Sequence, residues 1–139
     1  MIETKKLVEI ANHIREKYRN DFWDKDKREE AFNNLLNDLS VMFNKEKPKL
    51  IVNSNLNDGE FGYTLPNEKI IVINKYSLIT LLHEAYHYFF NEIDETNVRI
   101  ASILTFVLAY PEKIMNNEYV IRDFGIFKLI KRGDNNGKR

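Results

Sequence analysis

The spacing of the apolar residues changes twice along this chain, and each change marks a different kind of secondary structure. From Leu7 to Phe43 these residues recur three and four positions apart, as on one face of a helix. Between residues 50 and 73 they form short β-branched runs, which favour strands. From Leu78 to Leu108 the helical spacing returns. This order of patterns predicts an α+β fold.

Two amphipathic helices are predicted ahead of the strands. The first carries the apolar face Leu7, Ile10, Ala11, Ile14 and Tyr18. The second carries the stripe Phe32, Leu35, Leu36, Leu39, Met42 and Phe43. Asp24 and Asp26 are predicted to cap the second helix, because short side chains with an oxygen atom accept hydrogen bonds from its free amides. Pro48 is expected to end that helix.

Three short strands are predicted in the middle of the chain. Leu50-Ile51-Val52 is followed by the turn signal Asn57-Asp58-Gly59 and then by Phe61-Gly62-Tyr63-Thr64. After a second turn at Pro66-Asn67 comes Lys69-Ile70-Ile71-Val72-Ile73, which we expect to be buried on at least one face. The interpretation is a small, antiparallel, three-stranded sheet.

A second pair of helices is predicted after the sheet. The buried stripe of the first is Leu78, Leu81, Leu82, Ala85 and Phe89, and this helix ends near Asn91. The segment from Val98 to Leu108 is apolar almost all round, which predicts a central buried helix that Pro111 terminates. Because the link between the two helices is short, we expect an antiparallel pair.

Composition limits the kinds of partner that the chain can have. With 139 residues, 43% of them hydrophobic, it should form one domain over residues 1–130, and the polar residues 131–139 are expected to be a disordered tail. Basic and acidic residues both number 21, so the overall charge favours no nucleic-acid partner. The longest apolar stretch, from Ile100 to Tyr110, is too short to span a membrane.

Two further absences bear on location and on metal chemistry. The segment from Met1 to Lys17 lacks the continuous apolar run of a signal peptide, so we expect a cytoplasmic protein. The sequence contains no cysteine. Any metal must therefore be bound by nitrogen and oxygen atoms alone.

The motif His83-Glu84-Ala85-Tyr86-His87 carries the chemistry of this sequence. Residues four apart project from the same face of a helix, so two imidazoles at this spacing can share one zinc ion. Glu84 follows the first histidine directly, and its carboxylate would flank the metal without binding it. From there Glu84 can act as general base on a water molecule at the metal. A chance match of this pattern is rare in a chain of this length.

A third zinc ligand must come from outside the motif. No other histidine lies nearby, because His13 is on the first helix, where we expect it to be a surface or boundary residue. The carboxylate candidates after the motif are Glu92, Asp94, Glu95, Glu112 and Glu118. Glu95 is favoured, because a helix pair that turns near Asn91 places it opposite His87. The other four remain alternatives.

The order of helix, small sheet, HExxH helix and glutamate-bearing helix resembles the gluzincin clan of zinc peptidases, in a single-domain form similar to the minigluzincins. The matching residues are Ile70-Ile71-Val72-Ile73-Asn74, Leu81-Leu82-His83-Glu84-Ala85-Tyr86-His87, Glu95-Thr96-Asn97 and Ala101. The resemblance implies a zincin-like domain in which His83, His87 and Glu95 bind zinc and Glu84 is the base. It also implies that an edge strand holds a protein or peptide substrate in extended form.

This sequence departs from the clan at two points. The interval between His87 and Glu95 is shorter than in the large gluzincins, and the downstream residue that steadies the transition state cannot be identified. The possible donors are Tyr63, Tyr86, Tyr88, Tyr110 and Tyr119. Most of these tyrosines are expected to be core or boundary aromatics.

The segment from Glu112 to Ile130 has two interpretations. Minigluzincins are known as latent forms, and similarity to them implies that Asp123 or Glu118 approaches the zinc while Phe124 and Phe127 fill substrate pockets. The alternative is that the segment packs on the core as a last strand or helix.

The function predicted from the sequence is hydrolysis of peptide bonds, and its alternative is a catalytically silent binding or regulatory protein that retains a metal site. The intact Glu84 argues against that alternative.

Overall fold

The fold consists of helices packed around a small sheet, as seen in a computed structural model that describes residues 2–57, 59–122 and 125–129. The helices in this part of the chain are α1 (Thr4–Tyr18), α2 (Arg28–Phe43), α3 (Leu78–Phe89), α4 (Glu95–Ala109) and α5 (Pro111–Met115), with a 3₁₀ turn at Asp21–Trp23. The strands are β1 (Lys49–Val52), β2 (Gly62–Leu65), β3 (Ile70–Ile73), β4 (Tyr119–Arg122) and β5 (Gly125–Lys128). The predicted α+β class is confirmed. The tail predicted at residues 131–139 lies outside the described residues.

The first three strands form one mixed sheet in the order β1-β3-β2. β2 is antiparallel to β3, but β1 is parallel to β3, so the predicted all-antiparallel sheet is wrong at this pair. After β1 the chain crosses to the far edge of the sheet, forms β2 there and turns back into the centre as β3. Ile71, Val72 and Ile73 of this central strand are buried, as its β-branched sequence predicts. β2 therefore lies at one edge of the sheet, next to α3.

The two N-terminal helices bury the predicted apolar faces. The buried residues of α1 are Leu7, Ile10, Ala11, Ile14 and Tyr18, and α1 packs against α4. The predicted caps of α2 are wrong, because this helix begins at Arg28 with Lys27 at its N-cap, while the Asp24 side chain accepts a hydrogen bond from the Asp26 amide. α2 also ends before Pro48, at Phe43, because the next residue, Asn44, has a left-handed φ of 51° that stops the helix.

The pair α3 and α4 is joined by the short link of residues 90–94. Asn91 in this link has a φ of 53°, a conformation that asparagine tolerates better than most residues, and it lets the chain turn. Asp94 caps α4 by accepting a hydrogen bond from the amide of Asn97 at 3.0 Å. α4 is less buried than predicted, since Ile100 is 49% exposed and only one side of the helix faces the core.

The C-terminal part continues from α4 without a long loop. α4 ends at Ala109, and Pro111 is the first residue of α5, where its missing amide hydrogen costs no helical hydrogen bond. β4 and β5 then pair as antiparallel strands, and Ile126 on β5 is buried against the core. None of the helices in the described ranges is both long and apolar enough to cross a membrane.

Asp38 on α2 joins the two N-terminal helices through a polar cluster. Its carboxylate accepts hydrogen bonds from Lys17 at 2.8 Å and Tyr18 at 2.5 Å, and it lies 2.8 Å from Nε2 of His13. Burial works to raise the pKa of Asp38, but the three hydrogen bonds outweigh it and hold the pKa below its ordinary value. His13 thus has a structural partner at the boundary of the two helices.

We expect Asp38→Asn to lower the free energy of unfolding by about 1–3 kcal/mol at neutral pH, because it weakens charge-assisted hydrogen bonds. Since the pKa of Asp38 is depressed in the folded protein, its contribution is complete above the unfolded value of about 3.9 and is lost as the pH falls through the folded value. Urea unfolding at several pH values measures the difference between the two proteins. Asp26→Asn, at an exposed position, is the control. A difference that stays constant with falling pH contradicts the assignment.

Candidate metal centre

The motif histidines lie on one face of α3. Ser77 caps this helix by accepting a hydrogen bond from the amide of Thr80, and the predicted stripe of leucines and Ala85 faces the core. This orientation leaves His83 and His87, one turn apart, at the side of the helix that borders the α3–α4 link. Their ring centroids are 5.1 Å apart, so both imidazoles reach the same region.

Glu95, the first residue of α4, meets both histidines. Its Oε1 atom lies 2.9 Å from Nε2 of His83, and its Oε2 atom lies 2.8 Å from Nε2 of His87. Each of the three residues offers one ligand atom, and these three atoms lie within 4.8 Å of one another. Two nitrogens and one oxygen so grouped are the donor set that a zinc ion accepts from a protein at a catalytic site.

The hydrogen bonding of His87 fixes which of its ring nitrogens is available. Nδ1 lies 2.7 Å from the backbone carbonyl of Glu92, and because a carbonyl only accepts, Nδ1 must donate. In the neutral ring Nε2 then carries a lone pair. It is buried and has no partner of hydrogen-bonding geometry among the described residues, although Oε2 of Glu95 is 2.8 Å away. Either a proton on Nε2 or a metal ion can lie between the two atoms, and a zinc-binding histidine characteristically donates its other ring N–H to a carbonyl in this way.

The other candidate ligands are engaged elsewhere. The Glu92 side chain accepts a hydrogen bond from the amide of Asp94, and the Asp94 side chain caps α4. Glu112 forms an ion pair with Arg15 at 2.8 Å. Glu118 lies 3.5 Å from Lys113. Of the five carboxylates considered, Glu95 is the one that the structure brings to both histidines.

Glu84 is buried beside this cluster, with 7% of its surface exposed. Its Oε1 atom accepts a hydrogen bond from the hydroxyl of Thr64 on β2 at 2.7 Å. Burial raises the pKa of Glu84 above its ordinary value, against the lowering effects of the Thr64 hydrogen bond and of the two histidines. A raised pKa makes the carboxylate a stronger base, which suits a group that takes up and releases a proton.

The pKa of Glu95 moves in the opposite direction. Its partial burial would raise the pKa, but the hydrogen bond with His83 and the charge of His87 outweigh that effect and lower it. The Glu95 side chain is also 62% exposed, so water screens these interactions. Glu95 therefore stays ionised, as a metal ligand must.

An open cleft of about 370 Å³ lies between β2 and the α3–α4 link. Glu84, His87 and Glu95 line it from the helices, and Gly62, Tyr63 and Thr64 line it from the strand. A molecule in this cleft would contact two of the candidate metal ligands, His87 and Glu95, together with the buried carboxyl and the edge strand.

Tyr63 is the one of the five predicted tyrosine donors that lines the cleft. The hydroxyls of the other four are bonded elsewhere, to Thr105 (Tyr86), the Glu46 carbonyl (Tyr88), the Arg19 carbonyl (Tyr110) and the Trp23 indole (Tyr119). Those four aromatics pack in the core or at its boundary, as most of them were expected to do.

Asp123 and Phe124, for which the sequence predicts a role over the cleft, lie outside the described residues. In the described part of the same segment, Tyr119 bonds to Trp23 and Ile126 is buried in the core. Phe127 is partly exposed on β5. Latency through this segment stays a prediction.

No protein-family model matches the chain, and neither a curated protein nor a solved structure matches it.

Sequence reasoning missed two contacts of the site. One is the hydroxyl of Thr64, twenty residues before Glu84 in the chain. The other is the backbone carbonyl of Glu92, which bonds His87, whereas the sequence pointed to the Glu92 side chain. In the sequence Thr64 is only a polar residue in a predicted strand, which is a weak indication of a contact with the motif helix.

We expect the protein to bind one zinc ion, and each of His83→Ala, His87→Ala and Glu95→Gln to weaken zinc affinity by more than about 100-fold. The reason is that each change removes one of three ligands, whereas the loss of an outer partner alone costs about 10- to 100-fold. Competition with a chromophoric chelator measures the affinity. His13→Gln is the matched control, since it removes a histidine that bonds Asp38 on α2. Unchanged affinity in the His87 variant contradicts the site.

Proposed function

We propose that this protein is a zinc metallopeptidase whose zinc is held by His83, His87 and Glu95. The observation that carries the proposal is the meeting of two imidazole nitrogens and one carboxylate oxygen beside a buried carboxyl. A site built only to stabilise the fold would be closed by a fourth ligand and would have no use for the adjacent acid. Bound zinc would supply a Lewis acid that polarises the scissile carbonyl and lowers the pKa of water.

Glu84 has the role of general base in this proposal. It follows a ligand residue and lies in the cleft, where it can take a proton from the attacking water. The same carboxyl then carries that proton to the nitrogen of the leaving amine. Its burial supports both steps, because a raised pKa lets the group hold the proton between them.

The edge strand β2 is proposed as the surface that holds the substrate. The amide of Asn74 donates to the carbonyl of Phe61 at 2.8 Å, so these two residues form a hydrogen-bonded pair of the β2–β3 ladder. Such pairs alternate with pairs whose N–H and C=O groups point away from the neighbouring strand. The main-chain groups of Gly62 and Thr64 therefore point to the outer edge of β2, where an extended peptide can pair with them.

The proposal extends to the family that the sequence resembles. A small sheet, an HExxH helix and a glutamate at the start of the next helix are the features shared with the gluzincins, and the minigluzincins are the single-domain form. Support for this assignment comes from the arrangement of α3, α4 and β2 around one cleft. We propose a zincin-like domain on these grounds.

Glu84→Gln tests catalysis separately from metal binding. We expect it to lower the rate of peptide hydrolysis by about 10²- to 10⁴-fold while zinc affinity stays unchanged, because the residue moves protons and holds no metal. Hydrolysis of an unfolded protein such as casein, followed by mass spectrometry, measures the rate and the cleavage sites.

Glu16→Gln, at an exposed position on α1, makes the same chemical change outside the site and serves as the control. Zinc-loaded wild-type protein that hydrolyses no peptide bond, or a Glu84 variant as active as the wild type, would contradict the proposed function.

A further inference from the structure

Thr64 on β2 makes two hydrogen-bonding contacts with the same residue of α3. Its hydroxyl oxygen lies 2.7 Å from Oε1 of Glu84 and 2.9 Å from the backbone carbonyl of Glu84. A hydroxyl has a single hydrogen, so when Glu84 is ionised the Thr64 hydroxyl donates to one of these two acceptors at a time, and Oε1 is the nearer. The hydroxyl is thus within hydrogen-bonding distance of both the backbone and the carboxylate of Glu84, and it links the carboxylate to the strand.

Gly62 leaves room for the middle of the same side chain. It lies two residues before Thr64, so both face α3. A Cβ atom added at Gly62 would lie 3.3 Å from Cγ of Glu84 and 2.6 Å from the carbonyl oxygen of Val72. The absence of a side chain therefore lets the Glu84 methylenes approach the strand closely, and Thr64 holds the end that follows.

We propose that Thr64 is a positioning residue that aims the Glu84 carboxylate into the cleft and ties it to the strand on which the substrate pairs. This inference rests on the proposed function. Glutamate has three rotatable side-chain bonds, and one hydrogen bond at its end selects one arrangement among several. The main-chain groups of Thr64 point to the open edge of β2, while its side chain bonds the base. A peptide paired with β2 is therefore held by the same residue that aligns the base.

The kinetic test compares three substitutions at this position. Thr64→Val and Thr64→Ala remove the hydroxyl and should lower kcat by about 10- to 100-fold, with KM changed by less than about threefold, because a misplaced base slows the chemical step. Thr64→Ser keeps the hydroxyl and should recover most of the lost kcat. Zinc affinity should be the same in all three. Thr4→Val, at an exposed position on α1, is the matched control.

A double mutant separates positioning from a general effect on the fold. In the Glu84→Gln background, Thr64→Val should cause less than about a twofold further loss of kcat, since Thr64 acts through the residue already changed. A further loss as large as in the wild type would overturn the proposal. Equal kcat in wild type and in the Val and Ala variants would also overturn it.

Crystal structures of the zinc-loaded wild type and variants give a measurement that needs no activity. The Glu84 carboxylate should leave its position in the Val and Ala variants and keep it in the Ser variant. A carboxylate that stays in place without the hydroxyl refutes the role of Thr64, even if the enzyme is active. A wild type that binds zinc but cleaves no peptide refutes the proposed function instead, and the position of Glu84 in the variants still tests Thr64.

Discussion

The meeting of one carboxylate with two imidazoles is the contact on which the site depends. Glu95 begins α4, and its two oxygens face the Nε2 atoms of His83 and His87 at 2.9 and 2.8 Å. This is possible because residues 90–94 turn the chain within a few residues, with Asn91 in a left-handed conformation. The same link supplies the Glu92 carbonyl that fixes the His87 ring.

Two carboxyls share the cleft but have opposite electrostatic surroundings. Burial raises the pKa of Glu84, whereas the imidazoles beside the more exposed Glu95 lower its pKa below the ordinary value. Groups whose environments move their pKa values apart are suited to different tasks. Here one carboxyl is suited to exchange protons and the other to remain ionised. The two pKa values differ in direction because Glu84 lies buried on α3, whereas Glu95 lies exposed at the start of α4 beside two imidazoles.

The edge strand β2 serves the site in two ways. Its inner face, with Gly62 and Thr64, meets the Glu84 side chain, and the main-chain groups of the same two residues point to its outer edge. The inner face and the outer edge of β2 are both held in place by β3, which lies buried in the centre of the sheet and pairs with β2 along its length. A mixed sheet gives this arrangement, because the chain after β1 must reach the far edge before it returns as the central strand.

The apolar face of α1 and the spacing of His83 and His87 could be predicted from the sequence, because a helix repeats every 3.6 residues whatever surrounds it. Glu95 could be ranked first among the acids from the length of one link. The parallel pairing of β1 with β3, the start of α2 at Arg28 and the exposed side of α4 could not be predicted, since each depends on how separate elements pack. The contact of Thr64 with Glu84 is of the same kind, because it joins residues from a strand and a helix that only the folded chain brings together.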